Sequence, residues 1–325
     1  MTKARIGFLG VGWIGRHRME AMLATGLVEA AAIADPSPKM VAEAGKLAPG
    51  AKPVDGLDAM LGEGLDGVVI ATPSALHAEQ SIRALEAGAA VFCQKPLGRD
   101  AAEATRVVEA ARTADRLLDV DFSYRRTAGM QAIRELVRAG EFGEVFAVDL
   151  TFHNAYGPDK PWFYDRSQSG GGCVMDLGVH LVDLAMWTLG GDAATEVHAQ
   201  LFAGGEPLAG EAVEDYAAAQ MRVGGAAVRL ACSWRVNAGV DAEIGATFYG
   251  TQGGASFRNV GGSFYDFEAL RFRGTARETL ASPPDEWGGR AAADWARRLA
   301  KGARFDPAAD EIVAVSRVLD AIYAP

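Results

Sequence analysis

The chain has 325 residues, 49% of them hydrophobic and 23% charged, with a net charge of -10 and three cysteines. That length exceeds what one hydrophobic core usually fills, so two domains are expected, and the composition excludes a disordered chain. An acidic balance with no basic cluster excludes a nucleic-acid binder, which needs basic excess to neutralise phosphates.

The N-terminus, Met1 to Arg5, runs directly into a short apolar strand rather than a signal segment. No run is read as approaching the roughly 20 apolar residues that span a bilayer. Arg5 to Leu9 reads as a buried strand, followed at once by Gly10-Val11-Gly12-Trp13-Ile14-Gly15, then helical spacing from Arg16 to Thr25, then a second apolar run from Val28 to Ala34 that ends in Asp35. This β-α-β order gives the glycine fingerprint its meaning. Gly10 makes the tight turn, Gly12 lets backbone approach a pyrophosphate, and Gly15 lets helix pack on strand, while Trp13 and Ile14 open the helix whose free N–H groups face the phosphates. Asp35, 20 positions after Gly15, accepts from the adenosine ribose hydroxyls and repels a 2′-phosphate, so NAD is expected; Ser37 and Lys39 keep NADP open.

Gly67 to Ala71 is a strand ending in Thr72-Pro73-Ser74, a helix runs from about Ala75 to Ala87, and Ala90 to Cys93 is a strand leading to Gln94-Lys95-Pro96. A helix from Asp100 to Thr113 precedes a last strand, Leu117 to Asp121. Strands alternating with helices of these lengths mean a parallel, doubly wound sheet with ligands at the carboxyl ends of its strands. Asp35, Thr72, Pro73 and Lys95 sit at such ends, and His77 is expected to line the same cofactor site.

After Asp121 the pattern changes. Alternating runs, Glu144 to Phe152, Val197 to Phe202, Asp215 to Val223, Ala226 to Trp234, Ala242 to Phe248 and Leu270 to Arg273, are separated by turns such as Gly224-Gly225 and Gly253-Gly254. They read as a large, mostly antiparallel sheet with one face covered by helices and the other open, an α+β domain over residues 122–325 beside a Rossmann domain over residues 1–121. A last helix is expected from Asp310 to Tyr323. Cys93, Cys173 and Cys232 are far apart and odd in number, which fits a reducing, cytoplasmic compartment and excludes a disulfide scaffold or CxxC metal site, so no metal is expected.

Within the second domain, Gly170-Gly171-Gly172 precedes a run to Trp187 that is apolar on nearly all sides. Asp176, His180 and Asp183 interrupt it at i, i+4 and i+7, one polar stripe on a buried helix. A buried charge without a partner costs several kcal/mol, so the stripe is either paired internally or faces a wet cleft. Of the five histidines, His180 is best placed to exchange a hydroxyl proton at neutral pH. Lys95 is suited to stabilise a developing alkoxide. Candidates for holding a ligand are Tyr124, Arg125 and Arg126 after the last Rossmann strand, His153 in the alternating strand, and Trp162, Phe163, Tyr164, Asp165 and Arg166 ahead of the glycines, where aromatic faces can stack on a ligand and Arg or Asp can fork onto its polar groups.

Taken together, Gly10 to Gly15, Ala71-Thr72-Pro73 with His77, Lys95-Pro96, and Gly170 to Gly172 with Asp176, Gly178, His180 and Asp183 resemble the family of glucose-fructose oxidoreductase, inositol dehydrogenase and rhizopine-catabolism proteins (Gfo/Idh/MocA) over essentially the whole chain. The resemblance implies a catalytic set of Lys95, Asp176 and His180, with His180 as acid/base, Lys95 on the reacting hydroxyl and Asp176 binding or polarising it. It implies an enzyme that moves a hydride between a secondary hydroxyl of a sugar, cyclitol or polyol and NAD or NADP, a cis Lys95–Pro96 bond, and a homodimer or homotetramer built through the open sheet face. One departure is Gln94, where the family usually has a glutamate. The alternatives are an NAD-dependent glycosidase that uses transient redox chemistry and a non-catalytic NAD-binding sensor.

Overall fold

The computed structural model describes residues 2–324, which form two compact units. The first unit holds a six-stranded sheet in the order β3-β2-β1-β4-β5-β6. Its elements are β1 (Ala4–Leu9), α1 (Trp13–Leu23), β2 (Val28–Ala34), α2 (Pro38–Leu47), β3 (Lys52–Pro53), α3 (Gly56–Leu61), β4 (Gly67–Ile70), α4 (Ser74–Glu86), β5 (Ala90–Cys93), α5 (Ala101–Ala114) and β6 (Leu118–Val120). All five strand pairings are parallel. β4 and β5 are apolar at every position after Gly67 and buried throughout, because helices cover both faces of a parallel sheet.

The chain order hides one member of this unit. Gly289–Val313 belongs to it, and α9 (Arg290–Ala300) packs on α1 and β5. Trp295 of α9 is fully buried, its ring 5.8 Å from that of Phe92, and a Cβ on Gly67 would sit 2.7 Å from it. A single cut after residue 121 therefore leaves out the helix that closes part of the first core.

The second unit is built on a nine-stranded sheet in the order β15-β14-β13-β12-β7-β11-β10-β8-β9. Its elements are α6 (Ala128–Arg138), β7 (Val145–Asn154), α7 (Arg166–Ser169), α8 (Val179–Leu189), β8 (Ala194–Ala203), β9 (Glu206–Pro207), β10 (Tyr216–Val223), β11 (Ala226–Ser233), β12 (Ala242–Gly250), β13 (Gly254–Asn259), β14 (Phe267–Arg273) and β15 (Ala276–Ala281); residues from Ala314 of α10 (Asp310–Tyr323) also belong here. Every pairing is antiparallel except β11 with β7. Alternation decides which face is covered. Val148, Leu150 and Phe152 of β7, and Ala217, Ala219, Met221 and Val223 of β10, are buried on the side where α8 packs. Asp149 and Arg229 pair across the other face.

The stretch Arg166–Leu189 is long and apolar enough, by length and composition, to cross a membrane, contrary to the sequence expectation. Of its most apolar window, 89% is buried inside the protein, the position of a core helix.

Candidate active site

In the first unit, β1 delivers the glycine loop to the carboxyl edge of the sheet. Gly10 has φ +83°, a conformation that side-chain-bearing residues rarely adopt, and a Cβ there would lie 2.5 Å from the Ala71 carbonyl oxygen. A Cβ on Gly15 would lie 2.1 Å from the Gly10 carbonyl oxygen, so the turn and the first coil of α1 are in contact through the missing side chain. Gly12 differs: nothing lies within 4 Å of its Cβ position, which leaves the loop open at the N-terminus of α1, where no side chain caps the helix. An open, uncapped helix start over a tight glycine turn fits the pyrophosphate of a dinucleotide. Trp13, 63% exposed, stands at that opening with its ring stacked on His17, and Ile14 is half-buried behind it.

Asp35 also holds the loop itself. Its Oδ2 accepts from the Val11 N–H (2.9 Å) and its Oδ1 from the Ser37 N–H (2.8 Å). Each oxygen retains a lone pair for a ribose hydroxyl. Across the sheet edge, the Thr72 hydroxyl donates to Gln80 Oε1 (2.6 Å), and Pro73 precedes α4.

His77 is not at the surface of this site. It is 1% exposed, with Nδ1 2.6 Å from the Pro96 carbonyl oxygen and Nε2 2.7 Å from that of Thr72. It braces the Thr72-Pro73 loop against the Lys95-Pro96 loop rather than touching a ligand. Burial pushes its pKa below the ordinary value, and the two carbonyls oppose without reversing this. Lys95, half-buried, follows β5, and the Lys95–Pro96 bond is cis, as the resemblance implies.

The departure at Gln94 has a local reason. Its side-chain amide donates to Asp121 Oδ2 (2.7 Å), which also receives the Arg18 guanidinium (2.6 Å), all three residues being buried. A glutamate at 94 would place a second carboxylate against Asp121.

In the second unit the stripe is not one regular helix. Val174–Gly178 is a π turn, in which the Val179 N–H reaches back to the Val174 carbonyl, and α8 begins only at Val179. Asp176 lies in the π turn and His180 in the first turn of α8. Asp176, half-buried, accepts from the Trp234 indole N–H at Oδ2 (3.1 Å). His180, buried, lies edge-on to Tyr124 (ring centroids 4.9 Å, 71°) and 6.2 Å from Phe152. Asp183, buried, takes the Arg125 guanidinium on both oxygens (2.5 to 3.0 Å) and is a structural carboxylate.

The candidates for holding a ligand divide accordingly. Arg125, expected to fork onto a ligand's polar groups, forks onto Asp183 instead. Tyr124 is buried among Phe152, Phe267, Trp287 and His180, and burial raises its phenol pKa far above the ordinary range. It backs His180 rather than reaching a ligand. Adjacent Arg126 ends the same short turn. His153 follows Phe152 on β7, so it points to the opposite sheet face from the one on which Phe152 meets His180; its Nδ1 is 2.7 Å from Ser233 Oγ and its ring stacks on Tyr216.

Phe163 and Tyr164 gather at Trp234, the residue whose indole N–H donates to Asp176. Trp162 and Phe163 stack at 3.8 Å, and Phe163 and Tyr164 stand edge-on to Trp234. Tyr164 also carries the Arg235 guanidinium over its ring (5.2 Å). Asp165 caps α7 through the Ser167 N–H, and Arg166 lies over Tyr323. Trp234 was not singled out in the sequence, where it closes an alternating run like any strand residue. Glu214 was missed as well. It is buried, accepts from Gly172, Val174 and the Tyr323 hydroxyl, and is pushed above the ordinary carboxyl range by burial against the pull of these donors.

Comparison with known proteins decides the relationship. Residues 4–122 match a family described as "Oxidoreductase family, NAD-binding Rossmann fold", and residues 130–256 match the GFO/IDH/MocA C-terminal domain. The chain belongs to the Gfo/Idh/MocA oxidoreductase family. Its first domain is an NAD-binding Rossmann fold. Among curated family members, 1,5-anhydro-D-fructose reductase of Ensifer adhaerens is 31% identical over 213 residues, 64% of this chain and 62% of that protein. The match spans less than two thirds of the length of this and the next curated relatives. Two solved structures share the fold. Levoglucosan dehydrogenase in complex with NADH and levoglucosan has a TM-score of 0.85 at 22% identity, covering 99% of this chain and 96% of that one. A 3-ketoreductase from Actinomadura kijaniata with NADP and TDP-benzene has a TM-score of 0.83 at 22% identity, covering 99% and 97%.

Proposed function

We propose that this protein is an NAD-dependent dehydrogenase of a sugar, cyclitol or related polyol. The observation that carries the reading is the open Gly12 position beside two glycines that tolerate no side chain, in a chain that belongs to an NAD-binding oxidoreductase family. Gly10, Gly12, Trp13, Ile14 and Gly15 hold the dinucleotide at the start of α1, and Asp35, Thr72 and Pro73 flank it. When bound, the nicotinamide supplies the hydride acceptor or donor. Asp35 favours NAD, since its carboxylate repels a 2′-phosphate. Relatives named as inositol, glucoside and levoglucosan dehydrogenases support the substrate class.

The chain's own residues then manage the proton. His180 takes the proton of the reacting hydroxyl and returns it in the reverse direction. Lys95 carries the ammonium suited to stabilise negative charge as it develops on a reacting oxygen. Asp176, fixed by the Trp234 indole, accepts from a substrate hydroxyl and orients it. Trp162 and Tyr164 offer aromatic surface to the sugar ring. We further place the enzyme in the cytoplasm, on its three free buried thiols, and read it as a homodimer or homotetramer through the open sheet face.

A thermal-shift screen of sugars and polyols with NAD and with NADP tests the reading, because only a matched ligand stabilises the fold by mass action. The expected result is a shift with NAD that grows with one class of polyol, and NADH formation from that same compound. Release of an aglycone with no net NADH, or binding of NAD with no turnover of any polyol, contradicts it.

A further inference from the structure

The entrance to the π turn is held by a residue that the mechanism above does not use. Glu214 is 1% exposed, and among the described residues no cation pairs with it. Its carboxylate accepts from the Gly172 N–H (3.0 Å to each oxygen), the Val174 N–H (2.9 Å) and the Tyr323 hydroxyl (2.7 Å), while its own carbonyl accepts from the Cys173 N–H (3.0 Å). Three successive N–H groups at the start of the turn thus end on one residue. Two of the three glycines exist for this contact. A Cβ on Gly172 would lie 1.9 Å from the Glu214 carbonyl oxygen, and one on Gly171 would lie 2.0 Å from the Tyr323 hydroxyl.

The other side of the same segment holds Trp234. The backbone N–H of Trp234 donates to the carbonyl of Asp215 (2.7 Å), the residue after Glu214. Glu214-Asp215 is therefore a bracket. Its side chain fixes the strand of chain that becomes the π turn, and its backbone fixes the residue whose indole meets Asp176. Burying a carboxylate without a cation is costly, and a helix start is satisfied more cheaply by an exposed Ser, Thr or Asp. The cost is explained if the carboxylate secures a geometry rather than stability.

We propose that Glu214, locked by the Tyr323 hydroxyl, is the positioning residue for Asp176: it sets the π turn and so the place where that carboxylate meets the Trp234 indole. The catalytic consequence rests on the dehydrogenase reading; the positioning itself does not.

The indole N–H signals of the six tryptophans in a nitrogen-correlated NMR spectrum of the cofactor-free protein test it, with the Trp234 signal assigned by its loss in Trp234→Phe. Tyr323→Phe removes one hydroxyl and keeps the ring; Glu214→Gln keeps the shape but, in either amide orientation, sets an N–H against the Gly172 N–H, which meets both carboxylate oxygens. The Trp234 signal moves in Tyr323→Phe, and further in Glu214→Gln, while those of Trp13 and Trp295 in the first unit hold. Turnover per folded enzyme falls about tenfold in Tyr323→Phe and about 100-fold in Glu214→Gln, with NADH affinity unchanged, as expected for displacement of a reacting group by an ångström or less. An unmoved Trp234 signal in Tyr323→Phe overturns the proposal, whether or not Glu214→Gln folds. If the unaltered protein turns over no polyol, the dehydrogenase reading fails and the NMR comparison still decides the positioning.

Discussion

Two glycine-rich stretches, one in each unit, do different kinds of work. Around Gly10, Gly12 and Gly15 the partners are near in sequence or in the next strand: Gly15 meets Gly10, and Asp35 at the end of β2 holds the Val11 N–H. Around Gly171 and Gly172 the partners are Glu214, 42 positions from Gly172, and Tyr323, 109 positions from Glu214. The first stretch makes room for a ligand. The second makes room for the protein's own buttress, and only then does Asp176 stand where it does. A run of glycines therefore says that something comes close, and the structure is needed to say what.

The largest effect expected on this comparison comes from the second unit. Removing the arginine strips the buried Asp183 of its bidentate partner, so Arg125→Met should cost about 3–5 kcal/mol, read as a lowered denaturation midpoint. A loss under 1 kcal/mol would mean that Asp183 finds another partner. The glycines separate next. Gly172→Ala should destabilise by about 1–3 kcal/mol through overpacking against Glu214, whereas Gly12→Ala should leave the thermal midpoint unchanged and weaken NADH binding, since its Cβ meets nothing in the protein. Equal effects of the two on stability would erase the distinction between the stretches. The smallest effect is on pH. His77 has a lowered pKa in the folded protein, so folding favours its neutral form; that contribution is present above the ordinary value of 6.5 and is lost as pH falls below it. Thermal midpoints measured between neutral and mildly acidic pH should fall, and fall less steeply in His77→Gln.

Much of the fold was legible because it rests on local patterns. The apolar runs of β1, β2 and β5 and the final helix α10 match the sequence reading closely, since a parallel strand covered on both faces shows a nearly continuous apolar run, broken in β1 and β2 only by the exposed Arg5 and Glu29. β13 was not read, because Gly253-Gly254 looks like a turn although Gly254 already pairs with Phe272. α9 has a helix-forming sequence, Arg290–Ala300, but no periodicity says that Trp295 belongs to the first core, some 200 residues from Phe92. The site shows the same limit. The types and order of Lys95, Asp176 and His180 are plain in the sequence, but a π turn is a one-residue difference in hydrogen bonding that leaves a helical pattern of apolar residues intact. Arg125 and Tyr124 sit beside one another in the chain and looked like ligands; the structure pairs one with the Asp183 carboxylate and sets the other edge-on to the His180 ring, two residues three positions apart on α8. His77 was misplaced for a different reason: a histidine in a ligand-edge loop looks the same whether its nitrogens face a nucleotide or two backbone carbonyls.

The central claim is that the first unit binds the cofactor while His180 on the second moves the proton. The measurement that tests it most directly is a paired one on His180→Ala: NADH affinity, and turnover of the polyol found by the ligand screen. General acid-base assistance is worth about 10²–10⁴-fold, so turnover should fall by at least about 100-fold with NADH affinity unchanged. Turnover within a few-fold of the unaltered enzyme, or a loss of NADH binding that accounts for the whole effect, would contradict it.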